Sequence, residues 1–187
     1  MIIFLNGPPE AGKDTAARII REKLISTIDY KISRPLKRGI QNIFSMSPEV
    51  IKVFEADKDA PSIFLGGMSY RQAQIKLYKE FIVPNLGPNG LAELAKYGTT
   101  GAICKHLTIS DAGLTSEVSI LVKHFTKAKC CLLEIDRPGK TFTGDIRQWI
   151  DPDLEFMYRE KINNQHDEEL FELQIERVLK KWGLLIE

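Results

Sequence analysis

The stretch GPPEAGKDT, Gly7 to Thr15, decides how this chain folds. It has the spacing G-x-x-x-x-G-K, ending at Lys13, of a loop that grips phosphate. In such a loop, successive backbone N–H groups and the positive end of the following helix cradle an anion. Gly7 and Gly12 allow the curvature and the close approach, and Lys13 can bridge outer phosphate oxygens. Two acids complicate the reading. Asp14 stands where the pattern has Ser or Thr, and Glu10 lies inside the loop. Because backbone faces the phosphate, the Glu10 side chain can point to solvent. Asp14 in direct contact would repel phosphates; it either approaches Mg2+ through water or turns away, while Thr15 supplies the hydroxyl.

The flanks give the loop its context. Apolar IIFL, residues 2–5, reads as a buried strand, and a helix runs from Lys13 to Leu24 with Ala16, Ala17, Ile19, Ile20 and Leu24 on one side. The opening MIIFLNGPPE is too short, and lacks the basic leader and cleavage site, for a signal peptide. Further strands are expected at 29–33, 106–110, 129–136 and 154–159. Helices are expected from Pro35, from Pro48, from Ser69 to Phe81, from Leu91, from Thr115 or Ser116 as cap, briefly through Trp149, and from Asp167 to Trp182. VPNLGPNG, 83–90, should interrupt, and GTTG, 98–101, should bend or divide the helix from Leu91. The last helix is expected to bury Leu170, Leu173, Ile175, Val178, Leu179 and Trp182.

Strands alternating with helices imply a parallel sheet covered on both faces, a three-layer α/β sandwich of five strands. Ligands of such sheets gather beyond the carboxyl ends of the strands, which here carry Asn6, Asp111 and Asp136. With 187 residues the chain suits one domain. No apolar run approaches the roughly 18–20 residues of a membrane span, so no membrane partner is expected. A formal charge of +1 lacks the basic excess of proteins held on nucleic acid, which is not expected as a partner either. Cys104, Cys130 and Cys131 lack C-x-x-C spacing, and neighbouring strand residues face opposite ways; they read as buried thiols in a reducing cytoplasm. His106, His124 and His166 form no ligand pattern.

GPPEAGKDT resembles the GPPGAGKGT loop of adenylate kinases and other nucleoside monophosphate kinases, which also carries Thr one place after the usual position. It is more similar to the SGKDT ending in bacteriophage deoxynucleoside monophosphate kinases. Four further segments resemble that family in the same order: SRPLKRGIQNIF (33–44), SYRQAQIKLYKEF (69–81), ISDAGLTSEVSIL (109–121) and EIDRPGKTFTGDIR (134–147). The resemblance implies a core of 1–30, 105–136 and 152–187, an acceptor-binding helical region of 31–104 and a lid of 137–150. It implies ATP as phosphate donor, a dNMP as acceptor, Mg2+ as cofactor and a cytoplasmic location, that of the host if a phage encodes the chain. A homodimer is compatible with it.

Residue by residue, Gly7, Pro8, Glu10, Ala11, Gly12, Lys13, Asp14 and Thr15 would form the ATP loop. Lys13, Arg137 and Arg147 would be catalytic, since phosphoryl transfer rests on positioning and charge neutralisation and arginine forks suit phosphate oxygens. Gly139 and Gly144 would hinge the lid, Lys140 would face the site from it, and Asp145 would orient Arg147. Arg34, Lys37 and Arg71 would hold the acceptor phosphate, with Glu117 structural or at the acceptor base. Asp111 would hold Mg2+ through water, with Asp14 as a second candidate. Gly113 stands where some relatives carry arginine, so that ligand is lost or supplied from elsewhere. Two other functions stay open: a P-loop kinase acting on a hydroxymethylated base in DNA or another small metabolite, and a nucleotide-binding protein without catalysis.

Overall fold

Strand β1, Ile2–Asn6, lies at the centre of the sheet in the structure, a computed structural model that describes residues 1–100, 103–165 and 167–185. The expectations for Gly101 and His166 fall outside those residues. Ile3, Phe4 and Leu5 are fully buried, as a central strand sandwiched on both faces requires. β1 pairs in parallel with β3 (His106–Ile109) on one side and β4 (Cys130–Asp136) on the other. β2 (Thr27–Tyr30) flanks β3, and β5 (Tyr158–Asn163) flanks β4. The described residues thus form one five-stranded parallel sheet in the order β2-β3-β1-β4-β5.

The crossover from β1 to β2 through α1 (Lys13–Lys23) runs toward one edge. That from β3 to β4 through α7 (Thr115–Phe125) runs the other way. Right-handed crossovers in opposite directions put the two helices on opposite faces. On the first face, Ile3, Leu5, Cys131, Leu133 and Ile135 pack with Ile19 and Ile20 of α1 and with Phe171, Ile175 and Leu179 of α8 (Glu168–Lys181). Phe4 points to the other face, where Phe156 meets it edge-on at 5.9 Å. Cys130 and Cys131 are free, and burial pushes their thiols up to about 12 and about 11.

The chain divides into two compact units, Met1–Ile32 with Ala95–Glu187, and Ser33–Leu94. The second is helical: α2 (Arg34–Ile43), α3 (Pro48–Ala56), α4 (Tyr70–Leu77), α5 (Val83–Leu86) and the start of α6 (Gly90–Thr99). Ile40, Met46, Leu65, Tyr70 and Ala73 are its core. Ser69 caps α4 reciprocally with Gln72, two otherwise orphaned N–H groups being satisfied by the pair. A β-carbon at Gly39 would come within 2.8 Å of Leu77 Cδ2, so the glycine sets how closely α2 approaches α4.

Several expected elements differ. β2 begins and ends earlier than 29–33, because its register with β3 starts at Thr27 opposite His106. VPNLGPNG does not stop its helix at once: a π turn over Tyr78–Ile82 carries it to Leu86. There Val83 N–H donates to Tyr78 O, so the ladder is already offset where Pro84 has no N–H to give. α7 takes Leu114 as its N-cap residue with no side-chain cap; Thr115 Oγ1 instead accepts from Asp151 N at 3.0 Å. β5 lies at 158–163, not 154–159, since an edge strand half open to water need not be apolar.

The short helix expected through Trp149 is absent. Its N–H groups bond elsewhere: Arg147 N to Asp145 Oδ1, Gln148 N to Gly113 O and Ile150 N to Asn6 Oδ1. In α8, Leu170 and Leu173 are about half exposed, whereas Phe171 is buried. We expect Phe171→Ala to cost about 3–5 kcal/mol and Leu173→Ala under about 1 kcal/mol in urea denaturation. Equal costs would contradict this orientation of the helix.

Candidate active site

The loop of Gly7 to Thr15 leaves the carboxyl end of β1 and enters α1 directly. A β-carbon at Gly7 would stand 2.3 Å from Ile135 O, so only glycine lets the loop lie this close to β4. Gly12 has φ 103° and a β-carbon there would meet Asn164 Nδ2 at 2.5 Å. Asn164 supports the loop by donating to Ala11 O at 2.9 Å. Ala11 is buried, and its N–H bonds back to Pro8 O at 3.2 Å. Glu10 takes φ 61°, a left-handed conformation that residues other than glycine rarely adopt.

Lys13 folds back over the loop. Its Nζ donates to Gly7 O at 2.7 Å and to Pro8 O at 2.6 Å. Burial pushes its ammonium down to about 8, and the positive charge of Arg147 adds to the effect. Asp14 is exposed and paired with Lys31 at 2.7 Å, while Thr15 is half-buried. Asp111, beyond β3, accepts from Ile32 N at 2.7 Å and fixes the chain leaving β2. Glu117 is buried in the first turn of α7, and burial, helped by the charge of Asp111, pushes its carboxyl up to about 7. Asp29 accepts from Thr108 Oγ1 at 2.8 Å and Ser110 Oγ at 3.0 Å, with burial raising its pKa.

The segment 137–150 carries four charged groups to this edge. Arg137 Nη1 donates to Glu10 O at 2.9 Å, and Lys140 forms an ion pair with the Glu10 carboxylate. Glu10 therefore points outward but not idly, since both of its outward groups meet this segment. Asp145 holds Arg147 through both its Nε, at 2.9 Å, and its Nη2. The Arg147 fork, ahead of burial in effect, brings the Asp145 carboxyl down to about 2. Phe142 and Trp149 meet edge-on at 5.3 Å, with Lys161 Nζ 4.3 Å above the Trp149 ring.

Gly113 has a plain role here. A β-carbon at this position would lie 2.5 Å from Arg147 Cγ and 2.6 Å from its Cδ. The glycine leaves the space that the Arg147 stem occupies.

Thus Lys13, Asp14, Arg137, Arg147, Asp111 and Glu117 all belong to the unit of the sheet. Arg34, Lys37 and Arg71 belong to the helical unit. There Lys37 pairs with Glu55 at 2.7 Å, and Arg71 forks onto Asp59 at 2.7 and 3.1 Å. Arg34 is half-buried at the start of α2. Arg159 and Asn164 escape sequence reasoning, and so do the roles of Asn6 and Lys31. Asn6 and Asn164 do leave a signal, a polar side chain that closes or follows a strand at its carboxyl end and is buried.

If Gly113 clears the way for Arg147, Gly113→Ala should loosen the Asp145–Arg147 fork. Wild-type Asp145 stabilises the fold fully above its ordinary 3.8 and loses that contribution as pH falls through about 2. In the variant, carbonyl-carbon NMR should show Asp145 titrating nearer 3.8; an unmoved midpoint would refute the account.

No family model and no curated protein matches the chain. Among solved structures, it is similar to an unliganded sugar kinase from Janibacter sp. HTCC2649, at 15% identity over 98% of this chain and 94% of that one, with a TM-score of 0.50. It also aligns with Mycobacterium tuberculosis APS kinase (16% identity, 96% of each chain) and the Deinococcus radiodurans tunicamycin resistance protein (12%, 95% and 94%). Both of these have TM-scores of 0.46, too low to bear on the fold. Together with the parallel sheet and its N-terminal phosphate loop, the first likeness gives the chain the α/β fold of P-loop kinases.

Proposed function

We propose that this chain is a deoxynucleoside monophosphate kinase, passing the γ-phosphoryl group of ATP to a dNMP to give ADP and a dNDP. The observation that carries this reading is the placement of Lys13 in the phosphate loop within the field of Arg147, which Asp145 aims. The ordered resemblance of four further segments supports a dNMP as the acceptor. Lys13 and the loop N–H groups would hold the donor phosphates. The bond from the γ-phosphorus to the bridging oxygen breaks as an acceptor phosphate oxygen bonds to the same phosphorus. Charge spreads over the transferred group, and Arg137 and Arg147 are the cations for it. Residues 137–150 would act as the lid and 31–104 as the acceptor region, with Arg34, Lys37 and Arg71 for the acceptor phosphate.

Mg2+ would be held mostly by phosphate oxygens and water, and needs only one or two protein oxygens. The Thr15 hydroxyl and the Asp111 carboxylate are donors of that hard kind. Asp14, paired with Lys31, is the second carboxylate available to it. When bound, the ion neutralises charge on the β- and γ-phosphates.

Glu117 gives one other reading a foothold. A hydroxyl acceptor needs a base near neutrality, which a carboxyl at about 7 could be, whereas a phosphate acceptor is already ionised. A coupled ADP-release assay over natural and modified dNMPs, with hydroxyl acceptors alongside, separates the two. We expect turnover with at least one dNMP, abolished by Lys13→Ala and lowered about a hundredfold or more by Arg147→Met. Turnover with no dNMP would overturn the proposal.

A further inference from the structure

Asn6 is wholly buried, the last residue of β1 before the phosphate loop begins. A buried carboxamide persists only where its hydrogen bonds are met. This one spends both of its N–H donors on two segments remote in sequence: Nδ2 donates to Ala112 O at 2.8 Å and to Gln148 O at 3.0 Å. Its Oδ1 accepts from Ile150 N at 3.3 Å. Ala112 lies just beyond β3, next to Gly113, whose carbonyl accepts from Gln148 N at 2.9 Å. Both polar groups of the Gln148 backbone are therefore tied down, and Arg147 is the residue before it.

We infer that Asn6 is a positioning residue for Arg147: its carboxamide pins the return limb of segment 137–150 to the exit of β3, which lays the Arg147 stem over Gly113. This rests on the kinase reading for its catalytic consequence. Asn6 and the loop share one rigid strand end, so the staple places the arginine relative to the loop that carries Lys13. Asp145 then fixes the direction of the guanidinium. The rest of the limb has its own anchor. Arg159 donates to Ile150 O and to Asp151 O, the latter at 2.9 Å, and leans on Glu134 at 2.8 Å. Loss of the Asn6 staple should therefore release Arg147 without unfolding the segment beyond it.

Asn6→Asp keeps the shape and the acceptor but removes both donors, and is the variant to test. Trypsin cleavage after Arg147 should quicken about tenfold, with cleavage after Lys140 in the same segment as the internal reference and unchanged. In the assay of the dNMP accepted, kcat should fall about tenfold to a hundredfold with the KM for ATP unchanged. An unchanged Arg147 cleavage rate in the folded variant, or a loss of kcat matched by a rise in the KM for ATP, would overturn the inference. The wild-type chain provides a test that needs no variant and no substrate. By hydrogen exchange, the N–H groups of Gln148 and Ile150 should be as protected as those of β4, and rapid exchange at both would overturn the staple. Should no dNMP be turned over, the kinase reading fails, while cleavage and exchange still decide whether Asn6 places Arg147.

Discussion

The chain turns out of a buried strand into its phosphate loop with no space at Gly7 for a side chain, and the rest of the site follows from that contact. The carbonyl of Ile135 occupies the place a β-carbon would take. The loop is therefore pressed against β4, and its curvature is met by Gly12 and by Glu10 in a left-handed conformation. A loop curled this tightly offers the carbonyls of Gly7 and Pro8 to Lys13. Since β4 leads straight into Arg137, the same contact brings segment 137–150 alongside the loop, where it meets both the carbonyl and the carboxylate of Glu10.

Several of the candidate cations in each unit are paired with carboxylates. Arg147 rests on Asp145, Lys140 on Glu10 and Lys31 on Asp14, while in the helical unit Lys37 rests on Glu55 and Arg71 on Asp59. Most of these pairs are open to water, where an ion pair is weak and easily exchanged. A multiply charged phosphate can displace such a carboxylate at little cost, whereas the less exposed Asp145 can stay and steer Arg147. On this view the acids of GPPEAGKDT do not oppose anion binding. They keep neighbouring lysines placed and the edge of the sheet near neutral, in keeping with a net charge of +1 for the whole chain.

The sequence made the first strand, the loop and α1 legible because each announces itself locally, through an apolar run, spaced glycines and helical periodicity. Ser69 announced α4 in the same way, through its cap. β5 was misplaced because YREKIN alternates charges on an edge strand and borrows its register from β4. The stretch before it reads as a helix only if its N–H groups bond within the stretch. They bond to Gly113, Asp145 and Asn6 instead. Asn6 could not be recognised for what it does, since the carbonyls it reaches lie 106 and 142 residues away. Likewise the sequence leaves open what Gly113 does, since the stem of Arg147 that fills the space beside it lies far along the chain.

The central claim is that Lys13 trades the carbonyls of Gly7 and Pro8 for the phosphates of a nucleotide. Direct observation of its Nζ by lysine-selective 15N NMR tests this. Without nucleotide the ammonium should titrate at about 8. With saturating ATP and Mg2+ its midpoint should climb above about 10, because nearby negative charge favours the protonated form. A midpoint that stays at about 8 in the presence of ATP would contradict the account.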